Sequence, residues 1–173
     1  MINMLSVIIA FAAIILLTAA DQLIKIWAID SLKGQPSKDF LSIGDFDILN
    51  LTYLENDGAL FGSFSGMRWI LIAVTAALMI FCGWYMIKHS KEKLTLISMT
   101  LIISGGLGNI IDRLFRDGKV VDYFDVQFMD FAVFNFADCC VVIGVILLLI
   151  QIVFFDFKDK GEKVNKEKVS ENE

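Results

Sequence analysis

Four long apolar runs dominate this sequence and constrain what the chain can fold into. Each run is long enough to cross a bilayer as a helix, and the charged residues are confined to the connections and the C-terminal tail. With 57% hydrophobic residues, the chain is also too apolar for an ordinary soluble domain. We therefore predict an all-α polytopic membrane protein with spans at about 4–27, 69–87, 94–111 and 137–155.

The first apolar run ends in polar residues. The small residues Thr18–Ala20 would also suit a signal-peptide cleavage site, but no Lys or Arg precedes the run and three more spans follow it. We interpret the run as a transmembrane helix. Asp21 and Lys25 lie four positions apart, so they share a helix face and can form a structural ion pair.

A small β-containing cap is predicted within the longest polar connection, 30–68. Residues 46–54 alternate apolar with polar side chains, which indicates strands lying against the membrane surface. Residues 56–62 then break the pattern. The glycines Gly58 and Gly62 suit either a tight turn or a backbone segment that comes close to a ligand.

Basic residues predict the orientation. The short link 88–93 carries three lysines and the tail carries five, whereas the two longer connections hold few basic residues for their length. We expect both termini to be cytoplasmic and the cap to be extracytoplasmic. The mixed-charge segment 158–173 has no apolar content to fold around, so it is predicted to be a disordered cytoplasmic tail after a membrane domain at 1–157.

Two aspartates stand among apolar residues where spans end. Asp122 follows two valines and precedes two aromatic residues, and Asp138 closes the run Phe134–Ala137 just before the last span. A carboxylate in such surroundings is costly to ionise. Two of them brought together would share one proton, which supplies both a general base and a general acid for peptide hydrolysis.

A structural interpretation of Asp138 stands beside the catalytic one. Asn135 can be the N-cap of the last helix and Asp138 its third residue, where the helix dipole favours an acid. Asp112 is a rival carboxylate, which Arg113 and Arg116 are expected to hold as a structural acid.

Several other chemistries lack the residues that they need. His89 is the only histidine, so no second imidazole is present for a metal site or a Ser-His protease. Cys82, Cys139 and Cys140 form no spaced disulfide framework. We expect no metal, no cofactor and, since no basic patch exists, no nucleic-acid partner.

Five short motifs carry a family resemblance that covers the chain up to its tail. The motifs are Asp21-Gln22-x-x-Lys25, Asn56-x-Gly58-Ala59-x-Phe61-Gly62, Gly105-Gly106-x-Gly108-Asn109-x-x-Asp112-Arg113, Val120-Val121-Asp122 and Phe134-Asn135-x-Ala137-Asp138. Together, in this order and on four spans, they resemble lipoprotein signal peptidase, also called signal peptidase II, a bacterial family of aspartyl proteases that remove signal peptides from lipid-modified prolipoproteins.

The resemblance implies a role for each motif residue. It implies that Asp122 and Asp138 are the catalytic pair. It also implies a bacterial cytoplasmic-membrane protein that receives lipid-modified prolipoprotein precursors. We expect a monomer in contact with membrane lipid, and the basic residues predict an active site at the outer face. The substrate-binding residues would be Asn56, Gly58, Asn109, Arg113 and Asn135, and the structural residues near the site would be Asp21, Lys25 and Asp112.

This sequence departs from the family pattern at three positions. Leu60, Tyr123 and Cys139 stand where alanine, phenylalanine and serine are usual, but none of these changes removes a reacting group.

Two other protein classes compete with the peptidase. Presenilin-like proteases place their acids in YD and GxGD contexts, which this chain lacks. A membrane scaffold or ion-coupled transporter subunit would instead use the two aspartates as an ion site.

The third span carries a face of small residues. Gly105, Gly106 and Gly108 are expected to let neighbouring helices approach closely. This face and the glycines around Phe61 are also expected to leave room for a lipidated substrate residue.

Overall fold

Four helices long and apolar enough to cross a membrane make up most of the part of the chain that the structure describes. The computed structural model describes residues 2–44, 46–58 and 66–156. The four predicted helices are confirmed, and α1 and α3 extend past the predicted ends of their spans. The helices are α1 (Met4–Leu32), α2 (Arg68–Lys88), α3 (Lys93–Phe115) and α4 (Phe136–Gln151), and a π-helical turn, Ile152–Asp156, follows α4.

Two of the sequence predictions fall outside the described residues. They are the tail at 158–173 and the second half of the glycine-rich turn, Ala59, Phe61 and Gly62. Leu60, one of the three departures from the family pattern, lies there as well.

Helix α3 is the centre of the bundle, since α1, α2 and α4 each pack against it. Two of its serine hydroxyl groups are satisfied within the helix itself. Ser98 Oγ donates to the Leu94 carbonyl at 2.8 Å, and Ser104 Oγ donates to the Leu101 carbonyl at 2.9 Å. These bonds let hydroxyl groups lie buried between helices without an unpaired donor. By contrast, the outer surfaces of α1, α2 and α4 expose large aliphatic and aromatic side chains, as lipid-facing helices do.

The space beside the small residues of α3 is occupied by atoms of neighbouring helices. A Cβ at Gly105 would overlap the carbonyl oxygen of Ala137 on α4, one at Gly108 would overlap the Asp21 carboxylate on α1, and one at Gly106 would lie 2.8 Å from the Met79 sulfur on α2. The expectation of close helix packing is confirmed. The expectation that this face leaves room for a lipidated residue is wrong at these three glycines, because other helices already occupy the space.

A three-stranded antiparallel sheet forms the cap. Its strands are β1 (Lys38–Ile43), β2 (Phe46–Asn56) and β3 (Val120–Val126), in the order β1-β2-β3. Strand β2 was predicted, whereas β1 and β3 were not. Val121 and Tyr123 of β3 pack with Ala28 and Leu32 at the end of α1, so the sheet is joined to the bundle by a buried apolar cluster.

Glycine packing between α3 and α4 yields a testable difference. Gly105→Ala should lower stability by about 1–3 kcal/mol, since the added methyl group has no space between the helices. Gly83→Ala on α2 is the matched control, because nothing lies within 4 Å of a Cβ there. Thermal unfolding of both variants in detergent measures the effect. Equal melting temperatures for the two variants would show that the α3–α4 contact is looser than described.

Candidate active site

The two aspartates singled out in the sequence are held against the same asparagine. Asp122 lies on β3 and is almost fully buried, and Asp138 lies in the first turn of α4. Asn135 Nδ2 donates to Asp122 Oδ1 at 2.6 Å, and the backbone N–H of Asn135 donates to Asp138 Oδ2 at 3.1 Å. One residue therefore links the two carboxyl groups, although they come from different elements.

The environment of Asp122 favours its protonated form near neutral pH. Burial, and then the charge of Asp138, raise the pKa of Asp122 to about 7. Hydrogen bonds from Asn135 and Asn56 oppose this shift, and the Asn56 Nδ2 donor lies 3.2 Å from Asp122 Oδ2. Protonated and ionised Asp122 are thus both accessible at neutral pH, as a group that exchanges protons during a reaction requires.

Asp138 is fixed by a side chain of α3 and by the start of its own helix. Asn109 Nδ2 donates to Asp138 Oδ1 at 2.8 Å. Asn135 and Asp138 also form a capping box, in which each side chain accepts from the backbone N–H of the other residue. The prediction that Asn135 and Asp138 start the helix is therefore confirmed. It does not compete with a catalytic role, because the same contacts orient Asp138 toward Asn135 and Asp122.

The first backbone N–H groups of α4 are satisfied by side chains from three separate elements. A helix start within an apolar environment needs such partners, since its free donors cannot reach water. The sequence did not show that β3 and α1 supply two of them. Phe136 N donates to Tyr123 Oη at 3.1 Å, Ala137 N to Asp21 Oδ1 at 3.1 Å, and Asp138 N to Asn135 Oδ1 at 3.0 Å.

Beneath the carboxylate pair lies a buried ion network. Lys25 Nζ is 3.0 Å from both Asp21 Oδ2 and Asp112 Oδ2, so the predicted pair of Asp21 and Lys25 does form. Arg116 Nε lies 3.3 Å from Asp112 Oδ1, and the Val121 backbone N–H donates to Asp112 Oδ2 at 3.0 Å. The Asp112 carboxylate therefore forms ion pairs with two cations and accepts a hydrogen bond from a backbone N–H, as expected of a structural acid.

Arg113 does not pair with Asp112 as predicted. Its Nη2 donates instead to the backbone carbonyl of Gly58 at 2.7 Å, because Arg113 lies on the face of α3 that points toward the end of β2. Its Nε is buried and has no hydrogen-bond partner in the part of the chain that the structure describes. This contact brings Gly58 to the edge of the site, beside Asn56.

All five residues implied to bind substrate lie around the carboxylate pair. Asn56, Asn109 and Asn135 contact the carboxyl oxygens directly, and Arg113 and Gly58 contact each other at the rim. Within residues 2–44, 46–58 and 66–156, no group of three or more His, Cys, Asp or Glu side chains could hold a metal ion. His89 lies at the opposite end of the bundle and contacts Glu92 at 2.9 Å.

The fold has four helices that could span a membrane, and two buried or half-buried aspartates share one asparagine. Comparison with known proteins gives the class. The sequence profile described as signal peptidase (SPase) II matches residues 13–154, which identifies a membrane peptidase of the aspartic type. The chain belongs to the signal peptidase II family.

Individual relatives cover most of the chain. A protein of Clostridium acetobutylicum named lipoprotein signal peptidase is 46% identical over 146 residues, which are 82% of this chain and 92% of the relative. A protein of the same name from Lactococcus lactis subsp. cremoris is 39% identical over 151 residues, 87% of this chain and 95% of the relative. A solved structure described as a bacterial membrane enzyme, determined in meso at 2.3 Å, is 29% identical with a TM-score of 0.73, and the match covers 89% of this chain and 90% of that one.

Proposed function

We propose that this peptidase cleaves the signal peptide from diacylglyceryl-modified prolipoproteins just before the lipidated cysteine, with Asp122 and Asp138 as its catalytic pair. The observation that supports the pair most strongly is the shared contact with Asn135, which joins the two carboxyl groups in one hydrogen-bonded unit. Membership of the signal peptidase II family supports the substrate.

The chemistry follows from one proton shared between two carboxyl groups. The ionised carboxylate takes a proton from water, and the water oxygen attacks the carbonyl carbon of the scissile peptide. The protonated carboxyl group supports the carbonyl oxygen and then delivers its proton to the leaving amine nitrogen. The raised pKa of Asp122, about 7, suits the protonated role at neutral pH. The proton taken from water by the other carboxylate restores the pair for the next turnover.

Arg113 is the residue that suits recognition of the peptide backbone. Its Nη2 already holds a backbone carbonyl, that of Gly58, and its buried Nε has a free donor in the described part of the chain. A guanidinium group presents its donors in a fixed planar fork, so it can hold one carbonyl and offer a second N–H to another. We assign to Arg113 and Asn56 the positioning of the substrate chain beside Asp122.

The same proposal includes the setting of the enzyme in the membrane. Both termini and the 88–93 link face the cytoplasm, and the sheet and the carboxylate pair lie at the outer boundary, as the basic residues indicate. The apolar surfaces of α1, α2 and α4 contact lipid. The proposal also takes the enzyme to act as a monomer.

Labelling of single introduced cysteines tests the orientation. Cysteine at Ser42 or Gln127, both exposed in the cap, should react with an impermeant reagent from outside the cell. Ser90 is a poor cytoplasmic site, since it is buried and its hydroxyl accepts from the Asn3 N–H at 2.9 Å. Lys91 is exposed and should react only after permeabilisation. The reverse pattern would place the catalytic pair on the cytoplasmic side.

An ion site, the competing interpretation, fits the geometry less well. The carboxylate oxygens of Asp122 and Asp138 accept from N–H groups of Asn56, Asn109 and Asn135. A bound cation needs oxygen atoms directed toward it, whereas amide N–H groups carry partial positive charge and repel it.

Substitution of single carboxylates tests the catalytic pair. Asp122→Asn and Asp138→Asn should each lower cleavage of a lipid-modified precursor at least about 100-fold, because each removes one partner of the shared proton. Asp125→Asn is the matched control on the same strand, since Asp125 bonds Thr52 and not the pair. Asp112→Asn should retain some turnover. Rates come from purified protein in detergent, with folding checked by size-exclusion chromatography. Full activity in folded Asp122→Asn would exclude this carboxylate.

A further inference from the structure

Lys25 has a contact that its ion pairs do not explain. The side chain is fully buried on α1, and its ammonium group is 3.0 Å from both Asp21 and Asp112. These two carboxylates already compensate its charge. The ammonium group nevertheless makes a third hydrogen bond, at 2.9 Å, to the side-chain carbonyl of Asn109, a neutral residue that contacts Asp138.

The contact with Lys25 determines which way the Asn109 amide points. Asn109 Oδ1 accepts from Lys25 Nζ at 2.9 Å and from Asn135 Nδ2 at 3.2 Å, while Asn109 Nδ2 donates to Asp138 Oδ1 at 2.8 Å. Ammonium groups can only donate hydrogen bonds. A flipped amide would set its N–H groups against two donors and its oxygen against a carboxyl group, so it would lose all three bonds.

Asn109 in turn determines where Asp138 can place its oxygens. Oδ1 is held by Asn109, and Oδ2 is held by the backbone N–H of Asn135 at 3.1 Å. The plane of the carboxyl group is therefore fixed by two donors from different helices. A displacement of about 1 Å in a reacting group can cost roughly 100-fold in rate, so this orientation matters for catalysis.

We propose that Lys25 is a positioning residue for the hydrolytic reaction: it fixes the Asn109 amide, which directs the Asp138 carboxyl group toward Asp122 and the substrate. This inference rests on the proposed role of Asp138. It assigns Asn109 to the carboxylate pair, not to the substrate, and it gives Lys25 a role beyond the structural ion pair expected from its spacing to Asp21.

Arg116 supplies a matched comparison. Like Lys25, it pairs with the buried carboxyl group of Asp112, with Nε 3.3 Å from Oδ1. None of its described contacts involves Asn109 or Asp138. Loss of Arg116 should therefore disturb the ion network without changing the orientation of the Asn109 amide.

A double-mutant cycle on kcat tests the proposal. Lys25→Met should lower kcat for a lipid-modified precursor roughly 10- to 100-fold and leave KM within about twofold, since the substrate contacts remain. Asn109→Ala should do the same. In the Asn109→Ala background, Lys25→Met should cause no further loss of kcat, because the residue through which Lys25 acts is already absent. Arg116→Met should lower the melting temperature while kcat stays within about twofold.

A second version of the cycle guards against misfolding. Lys25→Met leaves Asp21 and Asp112 with one fewer cation, which is costly for buried charges. The same comparison is therefore made with Asp112→Asn present in every protein, so that one buried charge is removed with Lys25. The expected loss of kcat, relative to Asp112→Asn alone, is again roughly 10- to 100-fold, and again it disappears with Asn109→Ala.

Two results would overturn the proposal. One is an equal fold-loss of kcat from Lys25→Met with and without Asn109→Ala, which would mean that the two residues act independently. The other is that Arg116→Met lowers kcat by the same factor as Lys25→Met while the two variants have the same melting temperature. That result would show that the loss of kcat comes only from damage to the ion network. Failure of the proposed function can be told apart from failure of the Lys25 proposal. Folded Asp138→Asn would then keep its activity, whatever the result of the double-mutant cycle.

Discussion

The rest of this structure depends on how the N-terminus of α4 is satisfied. A helix that begins at a membrane boundary presents backbone N–H groups that must find partners within the protein. Here Tyr123 from β3, Asp21 from α1 and Asn135, the residue just before α4, accept those bonds. This requirement draws the sheet and the first helix to one point, and Asp138 in the same turn lies where they meet.

Helix capping and the proposed catalysis therefore use the same residues. Asn135 caps the helix with its carbonyl oxygen and binds Asp122 with its amide nitrogen, so a single side chain both starts α4 and connects the two carboxyl groups. Asp138 completes the capping box with one oxygen, and its other oxygen accepts from Asn109 on α3. A strong local reason for a residue to be present is thus compatible with a role in the reaction.

Sequence patterns could predict the helices and the two carboxylates, because both signals are local. Length and apolarity indicate spans, and a charged group among valines and phenylalanines stands out because such surroundings make it costly to ionise. Strand β3 was missed although Val120–Val126 is rich in β-branched and aromatic residues and the turn dipeptide Asp117-Gly118 lies shortly before it. A closer count of β-propensity would have found it.

Contacts between distant residues could not be predicted in this way. The bond from Lys25 to Asn109 joins residues 84 positions apart, and that from Arg113 to Gly58 joins residues 55 apart. No spacing rule connects such residues, because tertiary structure brings them together: α1 packs on α3, and the segment after β2 reaches Arg113. The sequence instead suggested the nearest opposite charge on the same helix, which is correct for Lys25 and Asp21 and wrong for Arg113 and Asp112.

We propose that a carboxylate pair at the start of α4, Asp138 with Asp122 of β3, hydrolyses a peptide bond beside a lipid anchor. The most direct test of this proposal gives the purified enzyme two precursors that differ only in whether the cysteine carries a diacylglyceryl group. Each buried methylene of the lipid is worth about 0.8 kcal/mol, so the modified form should bind far better. We expect cleavage of the lipid-modified precursor alone, with the product beginning at the lipidated cysteine. Equal cleavage of both, or cleavage of neither by folded enzyme, would contradict it.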